Sequence, residues 1–376
     1  MRNEIATTVE ADAERLTALS ELLHANPEVA WQEHKAARWV AEALVEVGFT
    51  IEAGYLGLET AFRATFGEGP FRLGLIAEYD ALPGLGHACG HNLIAATAVG
   101  AARALRRVAE EAGIRIEVYG TPAEEGGGGK IELLERGAFV GLDLAMMVHP
   151  APVDVAEAEP FAVIHSHIDF HGRAAHAAAY PEHGVNAADA FTVAQAALGL
   201  LRQQLPDSVR VHGIITNGGE APNAIPAHTE GRWYVRAQSL AELAEVEERV
   251  NRCFEAGALA TGCTLEITPE SKPYAEFRTY EPALEAYVRN ATALGRVFDD
   301  HSPARRMNRA STDMGNVSQV VPAIHPYIGL GTYPVLNHQA AFADACVGPT
   351  AVRAVLDGAI ALAWTALDMA GVQGES

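Results

Sequence analysis

Two short segments hold the residue types that do chemistry. Glu124–Glu125–Gly126–Gly127–Gly128–Gly129 sets two carboxylates side by side on a stretch too rich in glycine to be core. His87–Ala88–Cys89–Gly90–His91 offers a thiol and imidazoles two residues apart. Thiolate and imidazole suit borderline-soft divalent ions. Adjacent side chains on a turn diverge, so one glutamate can ligate while the next faces a water beside the ion. A divalent ion lowers that water's pKa toward ~7, and a carboxylate can then take its proton. Together the segments fit a metal site with a general base beside it, the equipment of a metal-dependent hydrolase. Each segment alone has a plainer reading. Cys89 and His91 fit a buried thiol near a helix start with a histidine cap, and the glutamates fit a solvated acidic loop. The glycines weigh against the acidic loop, because such a run suits close backbone approach or a mobile edge to a site. They are not a phosphate cradle, since Gly129 leads to Lys130–Ile131 and no Lys–Ser/Thr pair follows.

Further candidates are scattered along the chain. His149–Pro150 ends an apolar run, and His338 stands in Leu336–Asn337–His338–Gln339. Either fits a ligand or a histidine with one structural hydrogen bond. His87 is the weaker imidazole of its segment. Later in the chain, Arg173 and His176 follow a strand-like stretch. Asn223 lies in a Gly/Pro-rich segment and Arg236 ends another strand-like stretch. A His, an Asn and an Arg on one small domain suit oxyanion and carboxylate contacts. Turn-forming side chains and ordinary solvent-facing polar groups explain the same residues.

The elements that must position these groups follow from periodicity. Residues 9–47 are helical with a break at Asn26–Pro27. Residues 71–77 read as a buried strand, 93–109 as an Ala-rich helix and 114–119 as a strand. Residues 131–136 read as helix and 142–148 as a strand ending at His149. Strands alternating with helices predict a mainly parallel, doubly wound sheet, with chemistry at the carboxyl ends of strands. Asp80, Glu124, Glu125 and His149 each follow a predicted strand. From Phe161 the order becomes strand 162–170, helix 187–202, strands 209–216 and 229–237, helix 240–258 and strand 264–268. That β-α-β-β-α-β order predicts a small inserted sandwich. The expected division is 1–160 with 272–376 as one domain and 161–271 as an insert, with a closing helix over 350–369.

Composition excludes several classes. The 376 residues suffice for two domains. The formal charge, 27 − 48 = −21, repels phosphate backbones, so no nucleic-acid partner is expected. The N-terminus has no apolar signal-peptide core, and no run is read as reaching the ~18 apolar residues of a bilayer span, so no membrane is expected. Four scattered cysteines do not make a disulfide framework, which points to a reducing cytoplasm.

In chain order, Ala77–Glu78–Tyr79–Asp80–Ala81–Leu82–Pro83, His87 to His91, Pro122–Ala123–Glu124–Glu125, His149–Pro150, Arg173 to His176, the Asn223 segment and His338 resemble a known family. It is the aminoacylase/carboxypeptidase G type of dinuclear metallopeptidases. The Cys89 segment resembles the branch of hippurate, indole-acetyl-amino-acid and aminobenzoyl-glutamate hydrolases. Ser311–Thr312–Asp313–Met314–Gly315–Asn316–Val317–Ser318 resembles its aminobenzoyl-glutamate and β-alanyl-lysine dipeptidase side. The resemblance covers nearly the whole chain. It implies an α/β catalytic domain of the phosphorylase/hydrolase type, with a mixed, mainly parallel sheet flanked by helices. An inserted ferredoxin-like α+β domain would serve as lid and dimerisation module.

The resemblance also implies roles. Two divalent ions, manganese or zinc foremost and cobalt or nickel next, would share Cys89. His91 and His149 would complete one ion, Glu125 and His338 the other. Glu124 would be the base, and His176 would reach a homodimer partner's site. Asn223, Arg236 and Ser311 would contact the substrate. Asp80 would orient a ligand. In other branches a His stands two residues before the aspartate, where this chain has Glu78, and Cys89 with His91 would take over its work. The activity implied is hydrolysis of the amide bond of a small N-acyl amino acid, aminobenzoyl-glutamate-like compound or dipeptide. The alternatives are deamination of an aromatic amine on the same scaffold and a non-catalytic metal- or ligand-binding relative.

Overall fold

The computed structural model describes residues 1–299 and 301–371. The chain divides into two units, Met1–Pro160 with the chain from Phe277 onward, and Phe161–Glu276. The first unit opens with helices α1 (Arg2–Ala11), α2 (Ala13–Ala25) and α3 (His34–Val45) and strands β1 (Thr50–Ala53) and β2 (Phe62–Phe66). Then come β3 (Phe71–Glu78), α4 (His91–Leu105), α5 (Ala109–Ala112), β4 (Ile114–Thr121), α6 (Gly129–Glu135), β5 (Leu144–Met146) and β6 (His149–Ala151). The second unit is β7 (Ala162–His171), α7 (Ala187–Leu201), β8 (Arg210–Asn217), β9 (His228–Ala237), α8 (Leu240–Thr261) and β10 (Thr264–Pro269). The first unit resumes with α9 (Glu281–Ala293), α10 (Met314–Ser318), β11 (Ala323–Ile324), β12 (Tyr327–Gly329), α11 (Ala340–Ala345) and α12 (Pro349–Met369).

The main sheet has the order β1-β2-β4-β3-β5-β11. Its β4–β3, β3–β5 and β5–β11 junctions are parallel, and β1–β2 and β2–β4 are antiparallel. It is therefore a mixed, mainly parallel sheet. The central strand β3 is buried from Leu73 to its end. A strand covered on both faces reads as a continuous apolar run and does not alternate. The register pairs Glu78 with Thr121, so β3 and β4 end level. The loops carrying Asp80 and Glu124 consequently leave the same edge. A second, two-stranded parallel piece pairs Tyr327 of β12 with His149 of β6.

All fifteen residues of α4 are buried, which its run of alanines permits. It packs on α2, α12 and β3. Helix α12 has 21 residues and is long and apolar enough to cross a membrane by length and composition. That corrects the reading that no run reaches this length. Here 78% of its most apolar stretch is buried, against α4, α9 and α1, so the composition is that of a core helix.

The second unit is an antiparallel sheet, β10-β7-β9-β8, with α7 and α8 on one face. Ala162, Ile164, Ile168 and Phe170 of β7 point into its core with Phe191, Trp233 and Phe254. Ser239 caps α8, accepting from the amide of Glu242 at 3.2 Å, and Asn186 caps α7 through the amide of Ala188 at 3.0 Å. This unit extends to Glu276 and not to 271, because Tyr274 exchanges backbone hydrogen bonds with Val163.

Several boundaries moved. The helix read as 93–109 begins at His91 and stops at Leu105. The strand read as 142–148 is shorter, β5, and His149 begins the separate strand β6. Strands β1 and β2 were unread, being short and, in β1, mostly exposed.

Candidate metal centre

Six side chains converge at the carboxyl edge of the main sheet. The donor atoms of Cys89, His91 and His149 lie within 4.8 Å of one another. So do those of Cys89, Glu125 and His338, and those of His91, Glu124 and Glu125. Cys89 Sγ is 3.6 Å from His149 Nε2. Glu125 is 3.8 Å from His91 Nε2 through Oε1 and 3.6 Å from His338 Nε2 through Oε2. Two donor sets thus share one thiol, and each adds two ligands, which fits two ions side by side.

Local structure fixes these groups. Gly90 caps α4 in the left-handed region, and His91 is the first residue of the helix, fully buried. Its Nδ1 is 3.1 Å from Asp80 Oδ1, while Asp80 Oδ2 accepts from the amide of Glu125 at 3.0 Å. Such a carboxylate sets the orientation of an imidazole ligand and the nitrogen it presents. His91 Nε2 then faces the cluster, buried and without a hydrogen bond. His149 Nδ1 is occupied by the carbonyl of Pro150 at 2.8 Å, leaving Nε2 toward Cys89.

Two backbone positions beside the donors sit in the left-handed region without being glycine: Ala123, φ 57°, just before the glutamates, and His338, φ 65°. Each costs about 1–3 kcal/mol and persists only where the surroundings over-determine it. Glu33 does so at Ala123, its Oε1 accepting from the amides of Ala123 and Trp31 at 2.8 and 2.9 Å. The amide of His338 donates to Ala88 at 2.8 Å. The glycine run provides the close approach: a Cβ on Gly127 would lie 2.4 Å from Trp31, and one on Gly129 would lie 1.9 Å from the carbonyl of Pro122.

The electrostatics fit a cation. Burial, then the charges of Glu78 and Glu125, push the Glu124 carboxyl well above its ordinary range. Burial and Glu125 do the same to the Cys89 thiol. Burial, then His325 and His91, hold His149 down, hence neutral and able to ligate. A thiolate and two carboxylates crowd together in a buried pocket at low cost only with cations among them.

Three buried groups beside the centre were not read from the sequence as site residues. Lys130 Nζ lies 2.6 Å from Glu78 Oε1 and 2.6 Å from Asp313 Oδ1. His325 stacks on His149 at 5.5 Å between ring centroids. Lys130 carried a signal, as a lysine directly after a glycine run that serves no phosphate. Asp313 and His325 carried none that local pattern could isolate. Ser311, half-buried, immediately precedes Thr312 and Asp313. His87 is buried, with its ring 6.3 Å from that of His24, and belongs to none of the donor sets found among the described residues.

The remaining candidates stand on the second unit. His176 is exposed, and its Nδ1 faces the amides of Ala178 and Ala179 at 3.3 and 3.2 Å. With Nδ1 accepting, Nε2 carries the proton. The carbonyl of Asn223 accepts from the amide of Ala177 at 3.0 Å, which places Asn223 beside His176. Arg236, half-buried on β9, has Nε 3.4 Å from Nε2 of His212.

The chain is similar to several known proteins. Residues 161–261 match the peptidase dimerisation domain. The chain is 41% identical to the Xaa-Arg dipeptidase of Mus musculus, over 98% of this chain and 89% of that protein. It is 34% identical to a p-aminobenzoyl-glutamate hydrolase component of Escherichia coli, over 74% of this chain and 63% of that protein. An aminobenzoyl-glutamate utilization protein from Klebsiella pneumoniae superposes with a TM-score of 0.74 at 21% identity, covering 96% of this chain and 97% of that one. A dinuclear metal-binding peptidase of Bacillus subtilis superposes with a TM-score of 0.70 at 21% identity, covering 97% of this chain and 100% of that one. The protein belongs to the M20 family of metal-dependent peptidases and amide hydrolases, in the branch of the Xaa-Arg dipeptidases and aminobenzoyl-glutamate hydrolases.

Proposed function

We propose that this enzyme cleaves the peptide bond of small dipeptides with a basic C-terminal residue, and that Glu124 is its general base. One observation carries the assignment of the base. Glu124 and Glu125 are adjacent, yet only Glu125 also reaches the Cys89 and His338 donors. Glu125 is therefore the ligand and Glu124 the carboxylate left to move a proton. Two divalent ions, manganese or zinc foremost and cobalt or nickel next, would be held by Cys89, His91, His149, Glu125 and His338. When bound, they supply Lewis-acid polarisation of the scissile carbonyl and a lowered pKa for water. Glu124 takes the proton of the attacking water and passes it to the leaving amine. Its raised proton affinity suits both halves of that transfer.

His176, with its proton on Nε2, donates to the developing oxyanion in the active site of a second copy. That role requires a homodimer, which accords with the match of residues 161–261 to a peptidase dimerisation domain. Asn223, Arg236 and Ser311 contact the substrate's carboxylate or amide. The basic C-terminal residue is proposed because the Xaa-Arg dipeptidase relative spans 98% of this chain, against 74% for the aminobenzoyl-glutamate hydrolase. Four free, buried cysteines accord with a reducing cytoplasm. The test is a substrate panel with added manganese or zinc: dipeptides ending in Arg or Lys, aminobenzoyl-glutamate, N-acyl amino acids and aromatic amines. The dipeptides should give the highest kcat/KM. Selective turnover of aminobenzoyl-glutamate or of an amine would overturn the substrate assignment.

A further inference from the structure

Three carboxylates surround one imidazole nitrogen. Glu78 Oε2, Glu125 Oε1 and Glu124 Oε2 lie 3.6, 3.8 and 3.9 Å from His91 Nε2. Glu125 and Glu124 have roles as ligand and base. Glu78 is the extra one, fully buried at the end of β3. It touches His91 but enters none of the donor sets found among the described residues. Its other oxygen, Oε1, lies 2.6 Å from Lys130 Nζ.

Lys130 is in turn fixed from behind. Asp313 Oδ1 lies 2.6 Å from Nζ, and Asp313 Oδ2 accepts from the Lys130 backbone amide at 2.9 Å. Lys130, Glu78 and Asp313 are all fully buried. A buried ion triad is expensive to desolvate, and apolar residues of equal volume often give equal or greater stability. Stability alone therefore does not explain this one. A carboxylate within 4 Å of a ligand nitrogen, left to itself, is a ready fourth ligand. A catalytic centre needs the opposite, a coordination position kept open for water or substrate.

We propose that Lys130 is a positioning residue that draws Glu78 back from the ion held by His91, so that a coordination position there stays open. Asp313 keeps Lys130 in place by holding both its amide and its ammonium group. The proposal rests on the metal-centre assignment above. It makes the spacing of Glu78 and Lys130, fifty-two positions apart, part of the metal chemistry of this chain.

The test uses the full-length enzyme loaded with cobalt(II), whose visible absorption weakens as coordination number rises. Wild type should bind two cobalt ions per chain and show a thiolate-to-cobalt band that Cys89→Ser removes. Absence of that Cys89-dependent band would overturn the centre itself. In an enzyme that passes this check, Lys130→Met frees Glu78 to ligate. Its visible bands should lose intensity, and kcat should fall with KM little changed. The double variant K130M/E78Q, with no carboxylate to swing in, should regain the wild-type spectrum. If K130M does not fold, Lys130→Gln takes its place, since it can still hydrogen-bond Asp313 but carries no charge for Glu78. A wild-type spectrum in the single variant would overturn the tether. So would a double variant that keeps the single variant's altered spectrum, which would mark Lys130 as merely structural.

Discussion

Asp80 Oδ1 lies 3.1 Å from His91 Nδ1, and the same carboxylate takes the amide of Glu125 on its second oxygen. One buried side chain therefore fixes both the His91 ring and the backbone of Glu125, the proposed ligands of the two ions. Asp80→Asn keeps the size but loses the charge that orients the imidazole. Metal affinity should fall by about 10–100-fold, as for other partners of metal-bound histidines. Equilibrium dialysis with zinc or manganese measures it, and unchanged affinity would remove Asp80 from the account.

Cys89 is buried and belongs to both donor sets proposed to hold an ion. Cys89→Ser should bind fewer than two ions per chain. Peroxide treatment of the metal-stripped protein should abolish metal uptake, because a sulfinic or sulfonic acid cannot stand in for a bridging thiolate. Normal reconstitution after verified oxidation of Cys89 would contradict its role.

The four glycines are not equivalent. Space is open around a Cβ on Gly126, whereas one on Gly129 would lie 1.9 Å from the Pro122 carbonyl. Gly126→Ala should leave turnover within about twofold of wild type, and surface-like changes of this kind stay within about 0.5 kcal/mol. Gly129→Ala must displace the turn that presents Glu124 and should lose most activity. Equal effects of the two substitutions on turnover would mean that the run acts through flexibility and not through close approach.

Glu33 pins that turn at a cost that depends on pH. Burial, with the charge of Asp80 adding to it, raises its carboxyl to about 7 from an ordinary 4.5. Between those values the native state binds more protons than the unfolded chain, so stability falls as pH rises through the window. Glu33→Gln removes the ionisation. Relative to wild type, the metal-stripped variant should gain up to about 3 kcal/mol between pH 4.5 and 8. Melting curves at the two ends check the sign, and a gap that does not widen with pH would contradict it.

How much of this was legible in the sequence depended on whether a residue's role is local. β3 was legible because a strand buried on both faces leaves an unbroken apolar run, and β4 because its Ile114–Tyr119 stretch alternates and is β-branched. The β-α-β-β-α-β order of the insert was legible from alternation and helical spacing. β1, with the sequence Thr-Ile-Glu-Ala and little burial, left no such trace. In the site, Cys89, His91 and the glutamates were visible as motifs. The Lys130–Asp313 pair was not, because its partners are 183 positions apart and nothing in either segment points to the other. Glu33 is similar, since it acts through an amide ninety positions away.

His176 exposes an Nε2–H on the second unit, because Nδ1 faces two backbone amides. His176→Ala should lower kcat by about 10²–10³-fold, the scale of losing one oxyanion donor. Both ions should stay bound, and mixing with an inactive Glu124 variant should restore part of the activity if the donor acts in the partner's site. Lack of any rescue in mixed dimers would place its action within one chain.

In the proposed mechanism Glu124 moves the proton while its neighbour Glu125 holds an ion. Glu124→Gln is the most direct measure, read as kcat beside a metal count on the same preparation. Two bound ions per chain are expected, with a kcat lower by at least about 10²-fold, the contribution expected of a general base. Near-normal turnover with both ions bound would contradict it.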